Sequence, residues 1–255
     1  MLQLENILIE RDQRSILEVE QLNIASDDFT LILGHNGSGK STLASVMAGQ
    51  IPADSGNIYL NNQPLNKFKA SDLAKHIGYL PQYLPQAPGL TVKELVKLGR
   101  FPWRGMLGRW RIEDQKIIEA AIQHTDCTAF TDTLVDQLSG GERHRAWISM
   151  LLAQQAKLLI LDEPTAALDI AHQYALLSLL KKLHLAQGIG VVVVLHDINL
   201  ALRFASQILA MHKGKLFFQG SAKQFSDAKL LSQLFAIDIK LQEHPHDLHK
   251  VAVVC

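Results

Sequence analysis

The sequence predicts an α/β fold in which a mixed, largely parallel sheet is flanked by helices. Three short apolar runs support this prediction, and each is followed by a helical pattern: Phe29–Leu33, Leu158–Leu161 and Val191–Leu195. Strands covered by helices on both faces have this near-continuous apolar character. The first run ends in glycine and serine before the helical stretch Thr42–Ala48, and this order of strand, turn and helix opens a doubly wound fold.

The first 24 residues have a different pattern. Apolar and polar residues alternate from Leu2 to Ile9, and apolar positions recur over Ile16–Ile24. Alternation of this kind predicts half-buried strands. We therefore expect an N-terminal pair of antiparallel strands at one edge of the sheet.

Between residues 85 and 135 no strand-like run occurs, and the helical patterns Thr91–Leu98 and Glu113–His124 flank a segment rich in glycine, proline and aromatic residues. This change of composition predicts a helical subdomain inserted into the α/β core. The predicted organisation is one domain, with residues 1–84 and 136–255 forming the core and residues 85–135 the insertion.

Composition excludes several classes of protein. The 255 residues include 25 basic and 25 acidic side chains, so a protein that binds nucleic acid through an overall positive charge is not expected. Cys127 and Cys255 form no CxxC pair, which excludes a disulfide framework and a cysteine-based zinc site. No apolar run approaches the ~20 residues of a membrane-spanning helix, and the charged N-terminus does not resemble a signal peptide. We expect a cytoplasmic protein.

The segment GHNGSGKST, Gly34–Thr42, fits the pattern GxxxxGK[ST] of a phosphate-binding loop. Glycines allow the backbone to wrap around phosphate oxygens at a helix N-terminus. Lys40 would reach the β- and γ-phosphates, and the Ser41 hydroxyl would coordinate magnesium. This motif predicts a nucleotide triphosphate site on a P-loop NTPase core.

Two further segments carry the same chemistry. In LLILDEP, an apolar strand ends in Asp162, which could hold magnesium, and Glu163 follows, which could polarise an attacking water. In LSGGERHR, Ser139 and two glycines precede the helical stretch Glu142–Gln154, which makes a second helix N-terminus suited to an anion. Taken alone, Ser139 also fits a plain helix N-cap.

Six motifs in this order resemble those of ABC-transporter ATP-binding subunits: GHNGSGKST, the glutamine of GYLPQ, LSGGE, LLILDEP, AALD and VLHD. The resemblance extends over nearly the whole chain. It implies an ATPase that works as a head-to-tail homodimer, with each ATP held between the phosphate loop of one protomer and the LSGGE segment of the other. An isologous pair supplies that second surface.

The resemblance also implies individual roles. Glu163 would be the catalytic base, His196 would contact the γ-phosphate, and Gln82 would sense magnesium and water and signal to a membrane partner. Magnesium would be held by Ser41 and Asp162 together with Gln82. The residues that would bind ATP are Gly34, His35, Asn36, Gly37, Ser38, Gly39, Lys40, Ser41 and Thr42 from one protomer, and Ser139, Gly140, Gly141 and Asp169 from the other.

One position departs from the family pattern. These subunits usually carry an aromatic residue upstream of the phosphate loop that stacks on adenine, whereas the segment Ile9–Arg14 has none. Arg11 lies near that position, and a guanidinium can stack on a base. Adenine selectivity is therefore expected to be looser than in other members.

The sequence of the insertion indicates which substrate the transporter would carry, here called its cargo. Its segment VKLGRFPWRGMLGRW, Val96–Trp110, contains LGRxP and resembles ATPases of siderophore, haem and cobalamin importers. The longer form resembles the iron(III)-hydroxamate, ferrichrome-type uptake subunits most, so that cargo is predicted, with other siderophores, haem or cobalamin as alternatives. The resemblance implies a separate membrane permease, fed by a substrate-binding protein, and a peripheral position on the cytoplasmic face of the inner membrane.

The insertion also allows other interpretations. Six basic residues against Glu94 alone give residues 93–111 a charge of +5, with Phe101, Trp103 and Trp110 between them. A solvated face with aromatics tucked into a small core, a docking site for a permease loop, and a nucleic-acid patch all fit this pattern. A rival function is an ABC-type ATPase acting on ribosomes or DNA, but such proteins carry two sets of motifs or a long coiled-coil insertion.

The C-terminal segment HPHDLH contains His244, His246 and His249. Metal-binding histidines normally lie on a defined element with supporting hydrogen bonds. Because Pro245 interrupts this segment, we predict no metal site there.

Overall fold

The computed structural model describes residues 1–105, 108–166, 168–245 and 249–255. Met106 and Leu107 of the insertion, Ala167 of AALD, and His246 of the C-terminal segment lie outside the described residues. The strands, in chain order, are β1 Leu2–Arg11, β2 Arg14–Ile24, β3 Phe29–Gly34, β4 Ser55–Leu60, β5 Gln63–Pro64, β6 Ile77–Leu80, β7 Leu158–Asp162, β8 Gly190–Val194, β9 Gln207–His212, β10 Lys215–Ser221, β11 Ile239–Glu243 and β12 Lys250–Val254.

The helices follow the same convention and range from single turns to eighteen residues. They are α1 Lys40–Met47, α2 Ala70–Leu73, α3 Val92–Leu98, α4 Phe101–Arg104, α5 Ile112–His124, α6 Gly140–Gln154, α7 Ile170–Gln187, α8 Ile198–Phe204, α9 Ala222–Phe225 and α10 Ala228–Phe235. No helix in the described ranges is long and apolar enough to cross a membrane.

The described chain divides into two compact units, of which the first comprises Met1–Lys67 and Gly190–Cys255. Its strands follow the order β5-β4-β1-β2-β10-β9-β3-β8. Strand β3 pairs in parallel with both β8 and β9, while β1 and β2 form an antiparallel pair. Every residue of β3 and β8 is buried, as their apolar sequences predict. Strands β11 and β12 form a separate antiparallel hairpin.

The second unit comprises Phe68–Ile189. Strands β6 and β7 pair in parallel, and β7 is buried throughout. Helix α6 packs against α3 and α5, with Val96 and Ile148 fully buried on the packed faces. The residues expected to form a helical insertion, 85–135, carry α3, α4 and α5 within this unit.

The α/β class predicted from the sequence is confirmed, and the predicted helices Thr91–Leu98 and Glu113–His124 are observed as α3 and α5 within one residue of those limits. The expectation that the N-terminal strands lie at the sheet edge is wrong. Strand β4 pairs with the outer side of β1, and β5 pairs with β4. The sequence of β4, SGNIYL, begins with three exposed residues, so it lacked the apolar alternation that identified β1 and β2.

Candidate functional site

The phosphate-loop residues of the first unit connect β3 to α1. Gly39 is the N-cap of α1, has φ of 95°, and provides no side-chain hydrogen bond to the helix. A Cβ at Gly34 would lie 2.2 Å from the Met211 carbonyl oxygen, so only glycine allows the strand to turn there. The first amides of α1 therefore face the loop without a side-chain cap, which is the arrangement that suits a phosphate.

Two buried side chains complete the concave side of this loop. Lys40 is only 4% exposed, and its ammonium donates hydrogen bonds to the carbonyl oxygens of Gly34 and His35, both at 2.9 Å. The Ser38 hydroxyl is buried and has no hydrogen-bond partner in the described structure. A buried hydroxyl without a partner is costly, and a bound anion would relieve that cost. The loop therefore fits a polyphosphate.

The predicted γ-phosphate contact, His196, lies in the same unit, two residues after the end of β8. It is exposed, and the next residue, Asp197, caps α8 by accepting hydrogen bonds from the backbone N–H groups of Asn199 and Leu200. His196 and His35 line one open cavity of about 380 Å³. The structure thus brings these two predicted site residues to a common surface.

Residues of α10, β11 and β12 line the rest of that cavity. The His35 ring nitrogen Nε2 lies 3.0 Å from the carbonyl oxygen of Leu234, at the end of α10. The Asn199 carboxamide makes two hydrogen bonds with the backbone of Ala252 in β12, accepting from its N–H and donating to its oxygen. The terminal hairpin is therefore fastened to the helix that follows His196.

In the second unit, Asp162 and Glu163 lie at the carboxyl end of β7. Asp162 is 4% exposed and Glu163 is 9% exposed. Glu163 has φ of 47°, a left-handed conformation that L-residues adopt at a cost of order 1 kcal/mol and that is common at functional sites. The Gln82 amide nitrogen Nε2 donates to Glu163 Oε2 at 2.6 Å. Two residues 81 positions apart are thereby brought together.

Ser139 is the N-cap of α6, so the plain structural interpretation of this residue is correct. Its hydroxyl accepts from the Glu142 N–H, and the Glu142 carboxylate accepts from the Ser139 backbone N–H at 2.9 Å and from its hydroxyl at 2.6 Å. The hydrogen bonds from the Ser139 hydroxyl and N–H hold the pKa of Glu142 below its usual value. Ser139 and Gly140 are both exposed, so this helix start is free to meet another surface.

Asp169 caps α7, and its surroundings include a residue that the sequence did not single out. Asp169 Oδ1 accepts from the His172 backbone N–H at 2.9 Å and lies 2.7 Å from His172 Nδ1. These two contacts, the backbone one being larger, lower the pKa of Asp169. His172 lies three residues after Asp169, the spacing at which helical side chains meet, and that spacing was the signal available in the sequence.

Part of the insertion's LGRxP string is structural. A Cβ at Gly99 would lie 2.2 Å from the Met150 carbonyl oxygen, so glycine is required where α3 approaches α6. Arg100 is buried and donates to Asp114 at 2.9 Å and to the Ala153 oxygen. Burial alone would raise the pKa of Asp114, but hydrogen bonds, first from Arg100, outweigh burial and lower it. Arg100 therefore does not contribute to the positive surface of the insertion.

The aromatic residues of the insertion are half exposed rather than tucked into a core. Phe101, Trp103 and Trp110 are 48%, 47% and 50% exposed. The Arg104 guanidinium lies 3.6 Å from the centre of the Trp110 ring, and the Lys97 ammonium lies 5.8 Å from it. Arg104 is itself mostly buried and lies 3.8 Å from Asp114, so the rings rather than this cation form the exposed surface.

Two features noted in the sequence remain, Arg11 and the C-terminal histidines. Arg11 contacts Asp54 at 3.4 Å, with both side chains about half exposed. The rings of His244 and His249 stack with centres 4.6 Å apart at the tip of the terminal hairpin. The described residues contain no group of three or more potential metal ligands.

An uncapped phosphate loop with a buried lysine, a strand ending in paired carboxylates, and a second glycine-rich helix start together define an ATP-binding cassette ATPase. The model of the ABC transporter family matches residues 17–166, and this chain belongs to that family. It is 40% identical to the iron(3+)-hydroxamate import ATP-binding protein FhuC of Bacillus subtilis (strain 168), over 94% of this chain and 90% of the relative.

Other relatives are named for different cargoes. The ferric enterobactin transport ATP-binding protein FepC of Escherichia coli (strain K12) is 36% identical over 94% of this chain and 89% of its own length. The hemin import ATP-binding protein HmuV of Thermobifida fusca (strain YX) is 34% identical over 91% of this chain and 81% of its own length. The ATPase class predicted from the motifs is therefore confirmed.

Solved structures agree with this assignment. A structure described as a metal-chelate type ABC transporter in an inward-facing conformation superposes with a TM-score of 0.85, at 26% identity, over 100% of this chain and 96% of that chain. A dimeric ATP-binding cassette in a post-hydrolysis state, bound to ADP and phosphate, superposes with a TM-score of 0.76 at 30% identity, over 87% and 99% of the two chains.

Proposed function

We propose that this chain is the ATP-hydrolysing subunit of an importer for iron(III)-hydroxamate siderophores. The assignment of the cargo rests on the 40% identity to FhuC over nearly the full chain, which is higher than the 36% identity to FepC and the 34% identity to HmuV. Another siderophore, haem or cobalamin is the alternative cargo. Since cargo would pass through the permease, no residue of this chain need touch it.

Within the proposed ATPase, the phosphate loop Gly34–Thr42 holds the triphosphate. Its uncapped α1 N-terminus and the buried Ser38 hydroxyl support this role. Lys40 exchanges its bonds to the loop's own carbonyls for bonds to phosphate oxygens, which are stronger because both partners are charged. Phosphoryl transfer then depends on positioning and on charge stabilisation rather than on covalent chemistry.

Glu163 is the proposed base, and it orients the water that attacks the γ-phosphate. The Gln82 hydrogen bond at 2.6 Å supports this role, because it fixes the carboxylate at the end of β7. His196 is proposed to contact the γ-phosphate. The Gln82 amide also gives the base a direct link to the segment that precedes the insertion, as a signal to a membrane partner requires.

A magnesium ion fits the donor set. Asp162 offers a buried carboxylate at a strand end, and Ser41 offers a half-buried hydroxyl; both are hard oxygen donors. Asp162, Ser41 and Gln82 are proposed to hold the ion. When bound, it would neutralise charge on the β- and γ-phosphates.

We propose that the active species is the head-to-tail homodimer. Ser139, Gly140, Gly141 and Asp169 then act on the ATP bound by the partner. The exposure of Ser139 and Gly140 supports this, and so does the dimer formed by the related cassette at 30% identity.

The membrane permease is the second proposed partner, with a substrate-binding protein acting through it, and the chain lies peripherally on the cytoplasmic face. The half-exposed rings of Phe101, Trp103 and Trp110, with Arg104 stacked on Trp110, support docking on a permease loop. A nucleic-acid role would use the same cations, so binding to ribosomes or DNA is the competing outcome.

The test is uptake of radiolabelled iron by cells that carry either the wild-type chain or Glu163→Gln as their sole copy. Iron is offered as a hydroxamate complex, as a catecholate complex and as haem, with labelled cobalamin as a fourth cargo. We expect Glu163→Gln to bind ATP normally and to lower its hydrolysis by about 10²- to 10³-fold, since it removes the base.

Loss of hydroxamate-iron uptake alone supports the proposal. Loss of uptake of a different cargo would keep the ATPase role and change the assigned cargo. Normal uptake of all four, in a strain lacking other ATPases of this family, would contradict an import function. Lys116→Gln, an exposed change on α5, is the matched control and should leave all uptake unchanged.

A further inference from the structure

His172 lies in the first turn of α7 and is held by the residue that caps the helix. Its backbone N–H donates to Asp169 Oδ1 at 2.9 Å, and its ring nitrogen Nδ1 lies 2.7 Å from the same oxygen. One carboxylate oxygen therefore fixes both the backbone and the ring of His172. Asp169 thus orients the imidazole, and both side chains are more than half exposed.

The other edge of the His172 ring meets the first turn of α6. A Cβ built on Gly141 would lie 3.0 Å from His172 Cδ2 and 3.5 Å from Nε2. A side chain at 141 would therefore press on the His172 ring, which would have to shift by a few tenths of an ångström. A small cavity of about 90 Å³ adjoins this contact and is lined by His144 and Leu176 among others. The ring joins the start of α7 to the start of α6.

The next residue fastens the segment that precedes Asp169. The Gln173 amide donates to the carbonyl oxygens of Leu168 at 2.9 Å and Thr165 at 3.3 Å. The Leu168 N–H also donates to the Thr165 oxygen at 3.1 Å. The backbone at Thr165 and Leu168 is therefore tied to Gln173 of α7, the residue next to His172.

We infer that His172 is a positioning residue that holds Asp169 and Gly141 as one preformed block for closure on the partner protomer's ATP. The inference rests on the proposed homodimer, and it adds to that proposal the residue that aligns Asp169 with Gly141. His172 itself need not touch nucleotide. Without the ring, Asp169 and Gly141 keep their chemistry but must be ordered separately when the dimer closes, and that ordering weakens association.

The experiment uses the full chain in the Glu163→Gln background, which should accumulate an ATP-bound dimer. Sedimentation velocity across protein concentrations at saturating ATP gives the dimer dissociation constant. Titration of ATP at protein concentrations below association gives the nucleotide affinity of the monomer. For His172→Ala we expect a dimer dissociation constant about tenfold higher, within the range usual for coupled sites, and an unchanged monomer affinity.

Two variants make this result specific to the ring contact. His172→Asn can still reach Asp169 and should recover about half of the loss on a logarithmic scale. His184→Ala is the matched control, since His184 lies on the same helix and its Nδ1 contacts the Ile189 oxygen, far along α7 from Asp169. It should dimerise as the parent does.

A double-mutant cycle addresses the contact with Gly141 directly. Gly141→Ala should weaken the dimer because its methyl group meets the ring. In the Gly141→Ala background, His172→Ala should weaken the dimer less than it does when Gly141 is present. The double variant should therefore lose less dimer affinity than the sum of the two single losses. Additive losses would contradict the contact.

Dimerisation of His172→Ala equal to that of the parent would overturn the inference, and so would a fall in monomer ATP affinity as large as the fall in association. If His172→Ala has a lower melting temperature than His184→Ala, the dimer dissociation constant of His172→Asn is compared with that of the parent, and that comparison decides whether the inference holds. A Glu163→Gln parent that binds ATP and stays monomeric at all concentrations would instead refute the proposed dimer itself.

Discussion

Helices α1 and α6 both begin at glycine-rich segments, and their first turns are capped differently. Helix α1 begins after Gly39, which lies in the left-handed region and gives no side-chain cap. Helix α6 begins after Ser139, which forms a reciprocal capping box with Glu142. Helix α1 therefore has no side-chain cap, whereas α6 is capped by Ser139.

A glycine-rich sequence at a helix start therefore does not by itself determine how that helix is capped. The Lys40 ammonium is folded onto its own loop and can exchange carbonyl oxygens for phosphate oxygens. The α6 start carries instead a carboxylate, Glu142, beside its cap. We therefore expect α1 to bind ATP in the isolated chain, and α6 to act only when a second protomer brings ATP against it.

The largest expected effect is that of Lys40→Ala. It removes the one buried cation of the loop, and with it charge-assisted bonds to phosphate that are each worth about 1.5–3 kcal/mol. ATP affinity measured by calorimetric titration should fall at least about 100-fold. Lys67→Ala, an exposed change in the same unit, is the control. Unchanged ATP affinity in Lys40→Ala would remove the contrast between the two helix starts.

The next effect is that of Ser139→Arg, which places a long cation on the exposed start of α6. ATP affinity of the isolated chain should be retained, while ATP turnover falls about 100-fold because the dimer cannot close, a loss comparable to that of one transition-state contact. The matched control is Ser221→Arg, since Ser221 and Gln224 form the same capping box at α9. A Ser139→Arg chain that still dimerises with ATP would contradict a shared site.

A smaller effect is expected for Ser139→Ala, which removes the hydroxyl of the capping box. The free energy of unfolding should fall by about 1 kcal/mol, the usual worth of an N-cap, and denaturant titration measures it. Ser139→Thr keeps the hydroxyl and should retain most of that stability. If both variants unfold like the wild type, the capping box does not stabilise α6.

The smallest effect concerns His144, one turn into α6. Its burial, foremost, lowers its pKa, with Arg143 adding to this and the hydrogen bond to the Gly140 oxygen opposing it. Because the unfolded chain then takes up the proton first, stability is present above the ordinary pKa of about 6.5 and is lost as pH falls below it. His144→Gln should flatten the melting temperature between about pH 7 and pH 5. His124→Gln, an exposed control, should not.

Much of the fold could be predicted because its central strands are apolar throughout. Strands β3, β7 and β8 are buried along their whole length, so their sequences carried an unbroken signal. The single-turn helices α2 and α4 were missed, since four residues carry no periodicity. Hairpin β11–β12 was missed because β12, KVAVV, has four apolar residues in a row rather than an alternation.

For the site, local motifs located the phosphate loop and the carboxylates but could not give contacts across the chain. The bond between Gln82 and Glu163 joins residues 81 positions apart, and only the pairing of β6 with β7 brings them together. The same holds for Arg100, which the sequence counted as a surface cation and which Asp114 retains in the interior. Burial of a charge depends on a partner that spacing alone does not reveal.

The terminal hairpin gives this chain a built-in spectroscopic reporter. Cys127 is fully buried, and burial foremost raises the pKa of its thiol, whereas Cys255 is exposed at the end of the hairpin. A maleimide fluorophore should therefore modify Cys255 alone, with no cysteine substitution required. Because Asn199 ties that hairpin to the helix after His196, a dye there would report on changes around the cavity that His196 lines.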